Sequence, residues 1–223
     1  NKDKINFLVG MQARVKIKTD KNIFEAYLGS VAPEFFAWVV PENSNIARIG
    51  LATKKNANFY FNRFLKLKNI KKSDIIEHQA GIIPIYSPKL KIKNRESGIF
   101  LVGDAAAQVK AATGGGIVPS LMSAKILADS IIKNKDYENE FKKTIAKDLS
   151  LALKIRNILD KFTDKDYDLL INLFKNEKLK NIIEEYDREF PSKFIIKLLA
   201  IEPRLLYFSK YFLHYLKSKS FLK

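Results

Sequence analysis

From Phe7 to Lys18 the chain alternates in the manner of a half-buried strand. Leu8, Gly10 and Gln12 stand against Val9, Met11 and Ala13, and Val15 and Ile17 continue the pattern. Thr19–Asn22 supplies a turn, and Ile23–Leu28 reads as the return strand. Phe35–Val40 and Ile46–Ala52 follow, joined by the polar link Pro41–Asn45 as a hairpin. These segments predict a four-stranded antiparallel sheet. Over Asn56–Leu67 the period lengthens, and Phe59, Phe61 or Asn62, Phe64, Leu65 and Lys68 trace the stripe of a helix. Asp74–His78 is a short strand candidate. Pro84–Glu96 reads as a loop carrying Lys89, Lys91, Lys93 and Arg95. Gly98–Val102 reads as a compact apolar strand that Gly103 ends.

Beyond this point the pattern is almost wholly helical. Ile117–Lys133, Tyr137–Phe162, Asp164–Asn176, Leu179–Tyr186 and Ser192–Leu216 each show helical spacing, and Thr163-Asp164 caps the third. Strands first, a glycine-rich junction, then helices: this order predicts an α+β fold. It divides the chain into a β-rich part (1–97), a junction (98–134) and a helical part (135–223).

The junction carries the chemistry. Gly98–Val102 leads into Gly103-Asp104, then into Ala105-Ala106-Ala107 and on to Gly114-Gly115-Gly116 at the head of a helix that tolerates Pro119 in its first turn. A buried strand here would set Asp104 at the carboxyl edge of a sheet, where open α/β sheets bind ligands and a carboxylate accepts hydrogen bonds from sugar-like hydroxyls. The alanines leave room for a flat or extended ligand. The glycines bare the amides of a helix start, whose free N–H groups and positive dipole end attract an anion. No Lys-Ser/Thr pair follows the glycines, so this is not a Walker-type cradle.

Strand, Gly-Asp, small-residue loop, triple glycine and long helix together resemble the second flavin-binding motif of FAD-dependent oxidoreductases with the p-hydroxybenzoate hydroxylase-like fold. Within them the chain is similar to the geranylgeranyl reductase family. Phe35-Phe36-Ala37-Trp38-Val39-Val40-Pro41 followed by Asn45–Leu51 resembles that family's aromatic-x-Trp-x-x-Pro strand and its Gly-bearing partner, here Gly50. The resemblance runs from about Phe7 to Lys133. It implies FAD as cofactor, with Gly103, Asp104, Gly114, Gly115, Gly116 and Ile117 on the flavin and Phe36, Trp38 and Pro41 on an apolar isoprenoid lipid substrate. The implied reaction is reduction of geranylgeranyl double bonds by hydride transfer from reduced flavin; no catalytic proton donor stands out. Ala107 and Ala111 stand where the family often has Gly and Pro, and Phe36 and Val40 replace Tyr and Phe. No Gly-x-Gly-x-x-Gly follows a first strand, so the resemblance implies the later part of such an enzyme, completed by an N-terminal FAD-binding segment or a partner chain.

Composition narrows the rest. The 223 residues include 40 Lys and Arg against 24 Asp and Glu, a net charge of +16, and no Cys. Disulfides, thiolate metal sites and dithiol redox chemistry are excluded, and a reducing, cytoplasmic setting is expected. His78 and His214 make no metal-spacing motif, so no metal site is expected. The basic excess has no RNA-binding signature around it and points to no nucleic acid. Arg204, Lys210, Lys217, Lys219 and Lys223, interleaved with Tyr207, Phe208, Tyr211, Phe212 and Tyr215, form a basic aromatic helix suited to peripheral contact with a membrane surface. The competing expectation is a non-catalytic lipid- or membrane-binding module built on an incomplete flavoprotein fold.

Overall fold

The computed structural model describes residues 5–94, 98–187 and 189–211. They group into two compact units, one of Phe7–Ile83 with Phe162–Tyr167, the other of Pro84–Lys161 and Asp168 onward with the first residues. The fold is α+β.

The first unit is a five-stranded sheet with one helix. Its strands are β1 (Phe7–Lys16), β2 (Glu25–Tyr27), β3 (Ala37–Asn43), β4 (Ile46–Thr53) and β5 (Ile75–Pro84), in the order β2-β3-β4-β1-β5. The β1–β4, β2–β3 and β3–β4 pairings are antiparallel. Alternation gives β1, β3 and β4 one apolar face each. Ala13, Val15, Ala37, Val39, Ala47, Ile49 and Leu51 are fully buried and pack on Phe61, Phe64 and Leu65 of α1 (Ala57–Leu67). Each large side chain so buried contributes about 1.5–3 kcal/mol. The other face carries Gln12, Arg14, Trp38, Val40, Arg48 and Gly50.

Against expectation, the strand anticipated at Asp74–His78 runs ten residues. It lies at the sheet edge, where Glu77, His78 and Gln79 are exposed, so no apolar alternation marked its length. At the start of α5 (Asp164–Leu173), Asp164 holds the turn at Gly29: Oδ1 accepts from the Ser30 N–H at 2.7 Å and Oδ2 from the Ser30 hydroxyl at 2.8 Å. These bonds hold the Asp164 carboxyl below its ordinary range. A folded-state pKa below the unfolded value of about 3.9 stabilises the fold above that pH and ceases to do so as pH falls through the folded value. Acid unfolding followed by circular dichroism should therefore lose one such contribution in Asp164→Asn; an unchanged acid limb would refute it.

The second unit holds β6 (Lys93–Asn94), β7 (Ile99–Phe100), α2 (Ile117–Ile132), α3 (Tyr137–Thr144), α4 (Ala146–Leu159), most of α5, α6 (Glu177–Glu185) and α7 (Ile195–Ile201). Three expectations are corrected here. Among the described residues Gly98–Val102 is not a buried strand of a large sheet: only Ile99 and Phe100 are paired as strand, both are exposed, and they pair with Lys93–Asn94 in a two-stranded sheet that includes part of the supposed loop. The helix over Tyr137–Phe162 is two helices. The Thr144 hydroxyl back-bonds to the Glu140 carbonyl at 2.8 Å and competes with the helical ladder where α3 gives way to α4. The helix expected over Ser192–Leu216 breaks at Glu202, because Pro203 has no N–H to donate and forces the preceding residue out of helical conformation.

The core of this unit gathers Tyr86, Ile92, Ala106, Tyr137, Phe141, Ile145 and Leu149, and a second cluster joins Leu179 and Ile182 to Phe194 and Leu198. Arg95 and the terminal basic aromatic run from Phe212, including His214, Tyr215, Lys217, Lys219 and Lys223, lie outside the described residues. Among the described residues no helix is long and apolar enough to cross a membrane, and no cluster of metal-ligating side chains occurs.

Candidate functional site

On the sheet, the register dictates which aromatic side chains meet. Trp38 pairs with Gly50, and Gly50 with Gln12 on the other side. The Trp38 indole lies on Gly50 so closely that a Cβ added there would meet ring carbons at 2.6 Å. A side chain at residue 50 and this indole position are mutually exclusive, which explains why a glycine follows the Trp-bearing strand. The indole N–H donates to Gln12 Oε1 at 2.9 Å, and the Gln12 amide donates to Gln79 Oε1 at 2.8 Å. Phe36 meets Trp38 edge to face at 5.8 Å and stacks on Phe35 at 4.4 Å. Phe36 and Trp38 thus form one half-buried aromatic surface on the face opposite α1. Pro41 does not join them: it pairs with buried Ala47, and alternation turns it to the α1 side.

In the second unit, the loop from Gly103 to Gly116 is tied from within. Gly103–Ala106 forms a 3-10 turn, and Gly103 adopts a left-handed φ of +67°, with its missing Cβ position 3.0 Å from Ser120 Oγ in the first turn of α2. Ala107, at φ +50°, is left-handed too, the conformation glycine adopts at least cost. Asp104 is exposed. Its Oδ1 lies 3.2 Å from where a Cβ on Gly116 would sit, so the carboxylate and the helix start are brought together. Gly116 caps α2, and Ile117 and Val118 after it are exposed. Their N–H groups have no acceptor within the helix.

The glycine turn has a hub at Lys110. Its N–H donates to the Gly115 carbonyl at 3.1 Å, and its carbonyl accepts from the Gly114 N–H at 2.8 Å. Its stem runs under Gly115, where a Cβ would stand 2.9 Å from Lys110 Cε, and its ammonium pairs with Glu189 at 2.5 Å. Gly114, with φ +71°, closes the turn.

Two residues that sequence reasoning passed over hold the loop in place. Gln108 is fully buried. Its Oε1 accepts from the Gly103 N–H at 2.7 Å, and its amide nitrogen donates to the Tyr137 hydroxyl at 3.0 Å. Burial pushes the Tyr137 phenol above its ordinary range, with the Gln108 bond opposing. Tyr137 remains a neutral hydrogen-bonding group at any working pH. The signal was present in the chain: one amide among alanines and a valine has no apolar reason to be there.

A flavin dinucleotide suits these groups. The loop presents a solvent-facing carboxylate for hydroxyls, side-chain-free backbone for close approach and helix-start donors for negative charge.

Residues 7–83 match the family model described as the geranylgeranyl reductase catalytic domain, and these are the residues of the sheet unit apart from Phe162–Tyr167. Among curated relatives, digeranylgeranylglycerophospholipid reductase 2 of Methanothermobacter thermautotrophicus is 32% identical over 184 residues, covering 74% of this chain and 46% of that protein. Digeranylgeranylglycerophospholipid reductase of Methanocaldococcus jannaschii is 31% identical over 212 residues, covering 86% and 51%. The chain therefore spans about half the length of the curated relatives it matches. Among solved structures, a geranylgeranyl bacteriochlorophyll reductase-like protein from Thermoplasma acidophilum superposes with a TM-score of 0.66 at 23% identity, over 92% of this chain and 54% of that one. The flavin-dependent halogenase CmlS gives 0.52 at 12% identity, over 92% and 47%. Both likenesses concern the fold.

Proposed function

Because residues 7–83 match the geranylgeranyl reductase catalytic domain and the chain spans about half the length of the curated reductases it resembles, we propose that it is the later portion of an FAD-dependent oxidoreductase that reduces geranylgeranyl double bonds of isoprenoid lipids. The observation that carries this reading is the approach of Asp104 to Gly116 at the head of α2. When bound, reduced FAD supplies the hydride for the alkene.

The chain's own residues bind and orient. Asp104 accepts hydrogen bonds from ribityl or ribose hydroxyls. The amides at Gly116 and Ile117, with the dipole of α2, favour negative charge on the reduced ring. Gly103, Gly114 and Gly115 keep side chains out of the way. Phe36 and Trp38 form an apolar wall for the isoprenoid chain, with Pro41 supporting their strand from the other face. An isolated alkene offers little charge to stabilise, so holding it in place is the larger contribution. An N-terminal dinucleotide-binding segment, in the same chain or a partner, supplies the rest of the FAD site. The exposed Ile99, Phe100, Ile117 and Val118 offer apolar surface for it to cover. A peripheral position at a membrane suits a lipid substrate.

The test is to express the chain with the segment that completes its relatives' length and measure FAD content and reduction of a geranylgeranyl lipid. Asp104→Ala should weaken FAD binding by about 10- to 100-fold, the value of a charge-assisted hydrogen bond, with the fold intact by circular dichroism. A completed wild type that takes up no flavin would refute the reading. Lipid binding without flavin would favour the non-catalytic module.

A further inference from the structure

Opposite charges meet the head of α2 at consecutive glycines. The missing Cβ of Gly116 would stand 3.2 Å from Asp104 Oδ1, and the missing Cβ of Gly115 would stand 3.3 Å from Lys110 Nζ. An ammonium beside a helix start is poorly placed by itself, because the dipole end there is already positive. Glu189 offsets this: its Oε1 takes the ammonium at 2.5 Å, and the two side chains are only 15% and 22% exposed. The carboxylate is held in turn. The Glu189 N–H donates to Asp187 Oδ1 at 2.8 Å, and the Ser192 N–H donates at 2.8 Å to Oδ1 of Asp148, a buried residue of α4. Lys110 is held by its backbone bonds within the turn. A groove of about 440 Å³ runs beside the pair, where Lys110, Gly115 and Glu189 meet Ala152, Ile155 and Pro191. The two charges therefore face a mainly apolar space next to the glycines, where bulk water screens them less.

We propose that the Lys110–Glu189 pair sets the reduction potential of the flavin held at the glycine turn: Lys110 raises it and Glu189 restrains it. The inference rests on the flavoenzyme reading above and adds how firmly the bound group holds its electrons. Taking up two electrons and one proton leaves the ring with one more negative charge. The ammonium adjoins the residues whose amides favour that charge, so it adds to their effect, and the carboxylate opposes both. The pair is already formed and is fixed at both ends, so its field acts without rearrangement. A lysine with a counter-ion also suits the substrate. An ammonium alone would stabilise the reduced ring further and make it a weaker reductant, whereas an isolated alkene demands a strong one. Glu189 keeps the anchoring stem of Lys110 under Gly115 while cancelling much of its charge.

The experiment takes the completed, FAD-loaded protein and titrates it with dithionite beside a reference dye, reading the midpoint potential from flavin absorbance. Lys110→Met keeps an apolar stem under Gly115 and removes the charge. It should shift the two-electron equilibrium toward oxidised flavin by about tenfold, a potential lower by about 30 mV. Glu189→Gln should shift it toward reduced flavin by a similar factor, and Lys110→Met/Glu189→Gln should return close to the wild type. Linkage requires the same factor in binding: Lys110→Met should lose about tenfold more affinity for reduced than for oxidised FAD. A pair that only braced the turn would weaken flavin binding in both single variants and leave the potential unmoved, and a misfolded variant cannot raise it. The proposal fails unless both single variants move the potential, and in opposite directions. A completed wild type that binds no flavin refutes the enzymatic reading and this inference with it. Full flavin content with a potential indifferent to the two charges refutes this inference alone.

Discussion

Gly50→Ala should destabilise the sheet unit by about 1–3 kcal/mol and displace Trp38, although it adds one methyl group to a strand. The reason is geometric. A Cβ at residue 50 would stand 2.6 Å from two indole carbons and 2.8 Å from Nε1, well inside contact distance. The indole must lift, and in lifting it gives up its bond to Gln12. Thermal unfolding and tryptophan emission check this together, since Trp38 is the single tryptophan of these residues. The melting temperature should fall by several degrees and the emission shift to the red as the ring becomes wetter. Trp38→Phe in the Gly50→Ala background should recover part of the loss, because a smaller ring clears the new methyl. A double variant no more stable than the sum of the singles would refute the direct contact.

Gln108→Leu is expected to cost about 2–4 kcal/mol and to loosen flavin binding without touching a ligand. The leucine fills the space but leaves the buried Gly103 N–H with no acceptor and removes one of the Tyr137 partners. A buried donor stripped of its acceptor costs about 1–3 kcal/mol, and the second bond adds about 1. Tyr137→Phe should cost less, about 1–3 kcal/mol, because it strips the buried Gln108 amide of its acceptor but leaves Gly103 satisfied. The ordering of the two variants is the sharper test: if Tyr137→Phe proves as damaging as Gln108→Leu, the Gly103 bond is not what holds the loop. In the completed protein, FAD affinity should fall with Gln108→Leu, because the turn that aims Asp104 begins at Gly103.

These cases show where the chain was readable. The four strands and α1 followed from alternation because each buries one face and exposes the other, which writes the fold into a period of two or of nearly four. Where both faces are exposed, as at Glu77–Gln79 on the edge strand, burial leaves no mark and the strand's length was underestimated. β7 was overestimated for the converse reason: Gly-Ile-Phe-Leu-Val looks like a core strand, yet Ile99 and Phe100 are exposed, and only Leu101 and Val102 pack against the core. The helix breaks were within reach, since Pro203 and Thr144 announce them, but smooth apolar spacing masked both.

The candidate site divided in the same way. Asp104 and the glycines were legible as a motif, and the structure supplies reasons for their type: left-handed φ at Gly103 and Gly114, and a carboxylate crowding Gly116. What no motif held was the support, meaning Gln108 with Tyr137 and Lys110 with Glu189. These partners are separated by 29 and 79 positions in the chain, and only folding reveals such distant pairings.

The division of labour between the two faces of the sheet has an evolutionary consequence. Residues that secure the fold, such as Ala13, Ile49 and Leu51, and residues of the open face, such as Gln12, Val40 and Arg48, alternate along the same strands but point to opposite sides. A change of ligand preference can then arise by exchanging every second residue, with little penalty to the packed layer beneath. Lineages of this fold can diversify what they accept one side chain at a time, with Gly50 and Trp38 as the linked pair that must change together.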